Sequence, residues 1–245
     1  MRIYSAELGL TTTHDGIPYQ VRVSARTRRV KLAFNPYRGL EIVIPRRFPR
    51  REIARILQQH ASWISEQYHR HADKLCAIEL PATVAFALSA ETYGVTYRQT
   101  ATGHSRETDS GVVIDAADDE QAIRLLRRWL RRQAERRLKP MLSDVSKELQ
   151  LGYSRCTVRG QKSRWGSCSS RSSISLNEQL LFMPPATVRY LMIHELCHTR
   201  HLNHSADFWR LVASFEPDYR RHEQALDQGR RQVPDWYLQS LYRSS

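Results

Sequence analysis

Cysteine is scarce in this sequence: four thiols in 245 residues, at Cys76, Cys156, Cys168 and Cys197. They form no CxxC pair and lie too far apart for the disulfide framework of a small secreted domain, so they read as free thiols in a reducing compartment. Long apolar runs are missing too. Nowhere does the chain approach the roughly 20 apolar residues that span a bilayer, and the opening MRIYSAELGLTTTHDG has no apolar signal-peptide core. These absences predict a soluble, cytoplasmic protein with no membrane partner. The sequence also has no internal repeat and no low-complexity segment. Acidic residues fall short of basic ones, 25 against 38, leaving a net charge of +13. Such a balance favours acidic partners, nucleic acid among them, without naming one. At this length the chain can bury a core unaided, so a metal, if held, serves chemistry and not folding.

The first 116 residues read as a small α+β unit. Between Tyr19 and Ile44 the runs YQVRVSA, RRVKLAF and LEIVIP alternate, with Asn35, Pro36 and Gly39 supplying turn chemistry, which predicts two or three antiparallel strands. The period then changes. Ile53, Ile56, Leu57, His60, Trp63, Ile64 and Tyr68 recur at three and four, one face of a single amphipathic helix over 50–75. Strand patterns resume in TVAFALSA, TYGVTYRQT and GVVIDA.

Residues 117–245 read as a second domain. Asp118, Asp119 and Glu120 suit the start of a helix, where carboxylates meet the positive end of the dipole. Ile123, Leu126, Leu130, Leu138, Met141, Val145 and Leu149 form its apolar side. The other side is crowded with cations, and Arg124, Arg128, Arg131 and Arg132 are candidate phosphate contacts, weighed against a plain solvated face. Two short strand patterns follow, RCTVRG and SSISLN, joined by the loop-like QKSRWGSCSSR. Pro184 and Pro185 then open a helix expected over 186–201.

That helix carries HELCH. His194 and His198, four residues apart, leave one helix face about 40° apart and can share a tetrahedral ion. Glu195 lies one step round, where a carboxylate reaches water at the metal without being a ligand, as a general base must. A third ligand comes from His201 or His204. Seven residues after His194, His201 lies two turns on, about 10 Å along the axis, too far to share the ion. Asn203 tolerates the left-handed conformation that ends a helix, so His204 can swing back beneath the metal. Ser205 then caps the next helix, with Phe208, Leu211, Val212 and Phe215 at core spacing. Cys197 leaves the helix on the side away from His198 and reads as a small buried group. Trp165 and Gly166 read as a packed aromatic at a tight turn. Arg164 is a candidate cleft residue for oxyanion charge.

RWGSCSS at 164–170, SISLN at 173–177, YLMIHELCH at 190–198 and NHSADFW at 203–209 together resemble the YgjP-like metallopeptidase family, and more distantly the SprT-type zinc proteases. RRVKLAF, the strand ending IVIP and the helix containing SWI fit the same family upstream. The resemblance implies an α+β fold, an N-terminal antiparallel β unit with one long helix followed by a minimal zincin-like domain. One zinc per chain would be held by His194, His198 and His204, with Glu195 activating water. It further implies a polypeptide substrate paired to an edge strand, for which SSISLN is the matching segment. The competing reading is a nucleic-acid-associated protein, its metal structural or its protease activity recruited to DNA or RNA. The two differ in whether the ion keeps an open position.

Overall fold

The computed structural model describes residues 11–12, 17–75 and 79–243. Cys76 and most of the opening segment fall outside the described residues. The architecture is mixed α+β, with three small sheets and eight helices among the described residues, and contacts divide it into two units, 1–78 with 242–245, and 79–241.

In the first unit, β1 (Thr11–Thr12), β2 (Pro18–Ser24), β3 (Lys31–Asn35) and β4 (Gly39–Pro45) form a sheet in the order β1-β2-β4-β3. The expected antiparallel pairing holds for β3 and β4. Their turn is closed by Asn35, whose Oδ1 accepts from the Tyr37 amide at 2.9 Å, and by Gly39 at φ +82°. β2, however, lies on the far edge of β4, so the chain crosses back over 25–30 and the two strands run parallel. The helix expected over 50–75 is three: α1 (Glu52–Gln59), α2 (Ala61–Arg70) and α3 (Ala72–Leu75). The breaks fall at His60 and His71, where the amide is shared between two preceding carbonyls, and no Pro or Gly marks them. Ile53, Leu57 and Ile64 pack on Leu40, Ile42 and Ile44 of the central strand, each buried aliphatic contributing about 1.5–3 kcal/mol.

The second unit opens with β5 (Thr83–Phe86), β6 (Glu91–Gln99), β7 (His104–Thr108) and β8 (Gly111–Ala116), ordered β5-β6-β8-β7. The 31-residue α4 (Asp119–Leu149) packs across them, started by Asp118, which accepts from the Gln121 amide at 2.6 Å. Trp129, fully buried, stacks on Phe86 with centroids 5.7 Å apart. A division at 116/117 therefore falls between a strand and the helix lying on it, inside one compact unit. α4 is buried along more than the expected stripe, Leu125, Trp129, Ala134 and Leu142 included, because β7 and β8 contact it from one direction and β9 (Arg155–Arg159) and α5 (Pro185–Cys197) from another.

The third sheet frames the site. β10 (Gly166–Cys168) pairs antiparallel with β11 (Ser173–Asn177), which pairs parallel with β9. β10 lies inside the segment expected to be loop. Its presence makes β11 the central strand, so SSISLN cannot be the open edge; the edges are β10 and β9. A short 3-10 turn over Glu178–Phe182 leads into α5, followed by α6 (Ala206–Phe215), α7 (Tyr219–Gln228) and α8 (Asp235–Arg243). No helix among the described residues is long and apolar enough to cross a membrane.

Candidate metal centre

The helix that carries HELCH ends at Cys197, four residues earlier than expected, and His198 occupies its C-terminal cap. The chain then turns through 199–204 and restarts at Ser205, whose hydroxyl accepts from the Phe208 amide. This turn brings His204 back against the helix. The Nε2 atoms of His194, His198 and His204 stand 3.2 Å from one another in all three pairs.

Three imidazole nitrogens so close cannot all satisfy one another, because a neutral ring has one donor and one acceptor. Nδ1 of His198 lies 2.9 Å from the carbonyl oxygen of His201. A carbonyl only accepts, so Nδ1 carries the proton and Nε2 presents a lone pair to its neighbours. A tetrahedral ion with bonds of about 2.0–2.1 Å needs donor separations of about 3.3–3.4 Å, and this triangle comes within a fraction of an ångström of that. Burial, then the two neighbouring histidines, pushes His194 down to about 3; burial and His204 lower His198 as well. Both shifts favour the neutral imidazole, the form able to bind a metal. Among the described residues this is the one cluster of His, Cys, Asp or Glu whose donor atoms could hold an ion. His201 contributes its carbonyl and not its ring.

Aromatic side chains of α6 fix the rings. His198 stacks on Phe208 with centroids 4.4 Å apart, and His204 stacks on Trp209 at 5.6 Å. Trp209 also stacks on Tyr219 of α7 at 5.2 Å, and Tyr190 meets His194 edge-on at 6.1 Å. Core spacing had marked Phe208, but nothing in the sequence marked Trp209 as a support.

Glu195 is buried, and its Oε2 has no hydrogen-bond partner. Burial pushes its carboxyl up to about 8, with Arg164 opposing the rise. An orphaned carboxylate oxygen one residue from a triad of lone pairs suits a site that takes a cation and water. The wall facing it is β10. A Cβ on Gly166 would lie 2.6 Å from Glu195 Oε1, and the φ of Gly166 is not positive. The glycine is therefore there for close approach and not for the tight turn its sequence context suggested. Trp165 is partly buried, donating from Nε1 to the Leu226 carbonyl at 2.9 Å. Cys197 is buried, its thiol pushed up to about 12 by burial, and Cys168 is pushed up to about 11 by burial and then by Glu195.

Arg164 is exposed at the end of this wall. Its carbonyl is held by Asn177 Nδ2 at 2.7 Å. The same Nδ2 donates to the Gln161 carbonyl at 2.9 Å, Oδ1 accepts from the Gln179 amide at 3.1 Å, and the Asn177 amide donates to the Trp165 carbonyl at 2.8 Å. Asn177 thus ties the wall to the turn that precedes α5. Sequence reasoning saw it only as the end of a strand.

The arginines of α4 are spent elsewhere. Arg124 pairs with Glu120, Arg131 with the fully buried Glu178 at 2.7 Å, Arg136 with Glu107 at 2.6 Å and Arg137 with Glu91 at 2.6 Å. Arg132 donates to the Ser105 hydroxyl at 2.9 Å. Of the four candidate phosphate contacts only Arg128 lacks a side-chain partner among the described residues. The stripe is largely a set of ties to the sheet and to the 3-10 turn.

Two histidines at the end of a helix, a third on the turn that follows it and a buried glutamate beside them, on an α+β scaffold, are the equipment of a metallopeptidase, and the family comparison agrees. The profile of the YgjP-like metallopeptidase domain matches residues 28–229. The chain belongs to that family. Two crystal structures resemble parts of it: the metallopeptidase zymogen of Pyrococcus abyssi abylysin, 23% identical over 36% of this chain and 90% of that one, and that of Methanocaldococcus jannaschii jannalysin, 18% identical over 37% and 94%, each with a TM-score of 0.34. Among curated proteins no match was found.

Proposed function

We propose that this protein is a zinc-dependent peptidase that hydrolyses peptide bonds with Glu195 as general base, one zinc being held by His194, His198 and His204. The observation carrying this reading is the triangle of Nε2 atoms 3.2 Å apart beside a carboxylate with an unpartnered oxygen. Zinc held there supplies a Lewis acid that polarises the scissile carbonyl and acidifies water. Glu195 accepts the proton of the attacking water at its carboxylate and returns it to the leaving amine. Phe208, Trp209 and the His201 carbonyl hold the ligand rings, as outer groups do for metal histidines. Arg164, whose charge acts on Glu195 and whose guanidinium makes no hydrogen bond or ion pair to a side chain among the described residues, brings positive charge to the cleft where oxyanion charge develops.

β10 is the strand that receives the substrate. One of its edges is paired with β11, and its Gly166 lies against Glu195. A polypeptide added along the other edge would run past the general base with its backbone hydrogen bonds satisfied. The three protein donors leave a position open, which favours chemistry over a structural metal.

The test is Glu195→Gln. Zinc content and melting temperature stay at parent values while cleavage of a peptide library falls by about three orders of magnitude or more, through loss of the base. Undiminished cleavage by this variant rejects the mechanism.

A further inference from the structure

Most cations of α4 are engaged; a group of those in the first unit is not. Residues 1–78 hold fourteen Lys and Arg against six Asp and Glu. β2 and β4 run parallel with Ser24 opposite Pro45, so the segments leaving both strands emerge at one end of the sheet. Both are basic: Arg26, Arg28 and Arg29 follow β2, and Arg46, Arg47, Arg50 and Arg51 follow β4. β3 begins at the same end, with Lys31 opposite Val43. All eight cations are exposed, and none has a side-chain partner among the described residues. The carboxylate next in the chain, Glu52, is taken by Arg55. Eight like charges held together without counter-charges repel one another, and a polyanion relieves that repulsion.

Beside this cluster is a groove of about 510 Å³ lined by Val30, Leu32, Ile56, His60 and Trp63. Val30 follows Arg29 directly and Ile56 lies on the first helix after Arg51, so the groove continues from both basic segments. Trp63 is 37% exposed, one of three large apolar side chains left so open among the described residues. A concave apolar slot with an indole and an imidazole beside a cationic rim matches a splayed-out base next to its phosphates. An anionic membrane would instead be met by a protruding apolar surface.

We propose that this end of the first unit binds single-stranded nucleic acid, the arginines meeting successive phosphates and Trp63 stacking a base. The binding reads backbone and base faces, so it has little sequence preference. It is independent of the peptidase reading and would stand if that reading failed.

The experiment is a fluorescence-anisotropy titration of the full chain with a labelled twenty-nucleotide oligo(dT), at several salt concentrations. The plot of log affinity against log salt should have a slope near −4, about 0.7 for each of roughly six phosphate contacts. Replacing Arg28, Arg29, Arg46 and Arg47 by Gln should flatten that slope by nearly 3, at about 0.7 per lost contact. Trp63→Ala should weaken binding about tenfold at every salt concentration and leave the slope alone. Gln at Arg124, Arg128 and Arg132 should leave both quantities at parent values. The proposal is overturned by equal affinity of the parent and the fourfold variant, by a Trp63→Ala variant indistinguishable from the parent, or by sedimentation with phosphatidylserine vesicles in place of oligonucleotide binding.

Discussion

Gly166 faces Glu195 so closely that a Cβ at that position would stand 2.6 Å from Oε1 and 2.9 Å from Cγ of the carboxylate side chain. The contact lies on the side chain of the proposed base, not on the ligand rings. Gly166→Ala should therefore displace the carboxylate and lower kcat by about a hundredfold, the order that ångström-scale misplacement costs. Metal analysis should show zinc content at the parent level. Unchanged kcat would mean that Glu195 moves aside freely and that the close approach has no catalytic consequence.

His201 and His204 separate by role. His204 brings Nε2 to within 3.2 Å of both partners, whereas His201 offers its carbonyl to His198. Chelator competition should show His204→Ala losing more metal affinity than the roughly 10–100-fold that outer groups cost. His201→Ala, which keeps the carbonyl, should stay near the parent. Equal losses would place the third ligand elsewhere.

Arg131 neutralises Glu178, whose other oxygen accepts from the Tyr237 hydroxyl at 2.6 Å. Arg131→Gln leaves a fully buried carboxylate with one partner. Urea unfolding should show a loss of about 1.5–3 kcal/mol, the range for a hydrogen bond to a charged group. No loss would reveal that the guanidinium is a surface ornament.

Glu91 is held at about 2 by the hydrogen bond from Ser89 and then by that from Arg137. A depressed carboxylate contributes stability that is complete above its unfolded value, near 4.5, and is lost as pH falls from there to about 2, because the unfolded chain takes up its proton first. Glu91→Gln should flatten the fall of stability across that window, measured by chemical unfolding at a series of pH values. The pair is solvent-exposed, so the change is modest. A parent and variant with parallel pH profiles would disprove the linkage.

What could be read in the chain was whatever is written locally. HELCH and NHS are spacings within a dozen residues, and the helix period, the Asn203 turn and the Ser205 cap are each set by neighbours, so the three histidines that come together and the buried glutamate beside them were legible. The roles of the α4 arginines were not, because their acidic partners come from 46 residues away at Glu91 and 47 at Glu178. β10 is three residues, too short to show alternation, and its absence from the reading made SSISLN look like an edge. The parallel pairing of β2 with β4 depends on which side of a hairpin the chain returns to, a tertiary choice that strand patterns do not encode. The helix breaks at His60 and His71 lack any breaker residue.

Asn177 has a consequence for how the cleft can move. Its carboxamide and amide fasten the carbonyls of Gln161, Arg164 and Trp165 on one side and the Gln179 amide on the other. Wall and turn are thereby a single cooperative element for local unfolding, since freeing either strands polar groups of the other. The backbone amides of the wall and of the turn before α5 should therefore exchange with solvent together, as one unit.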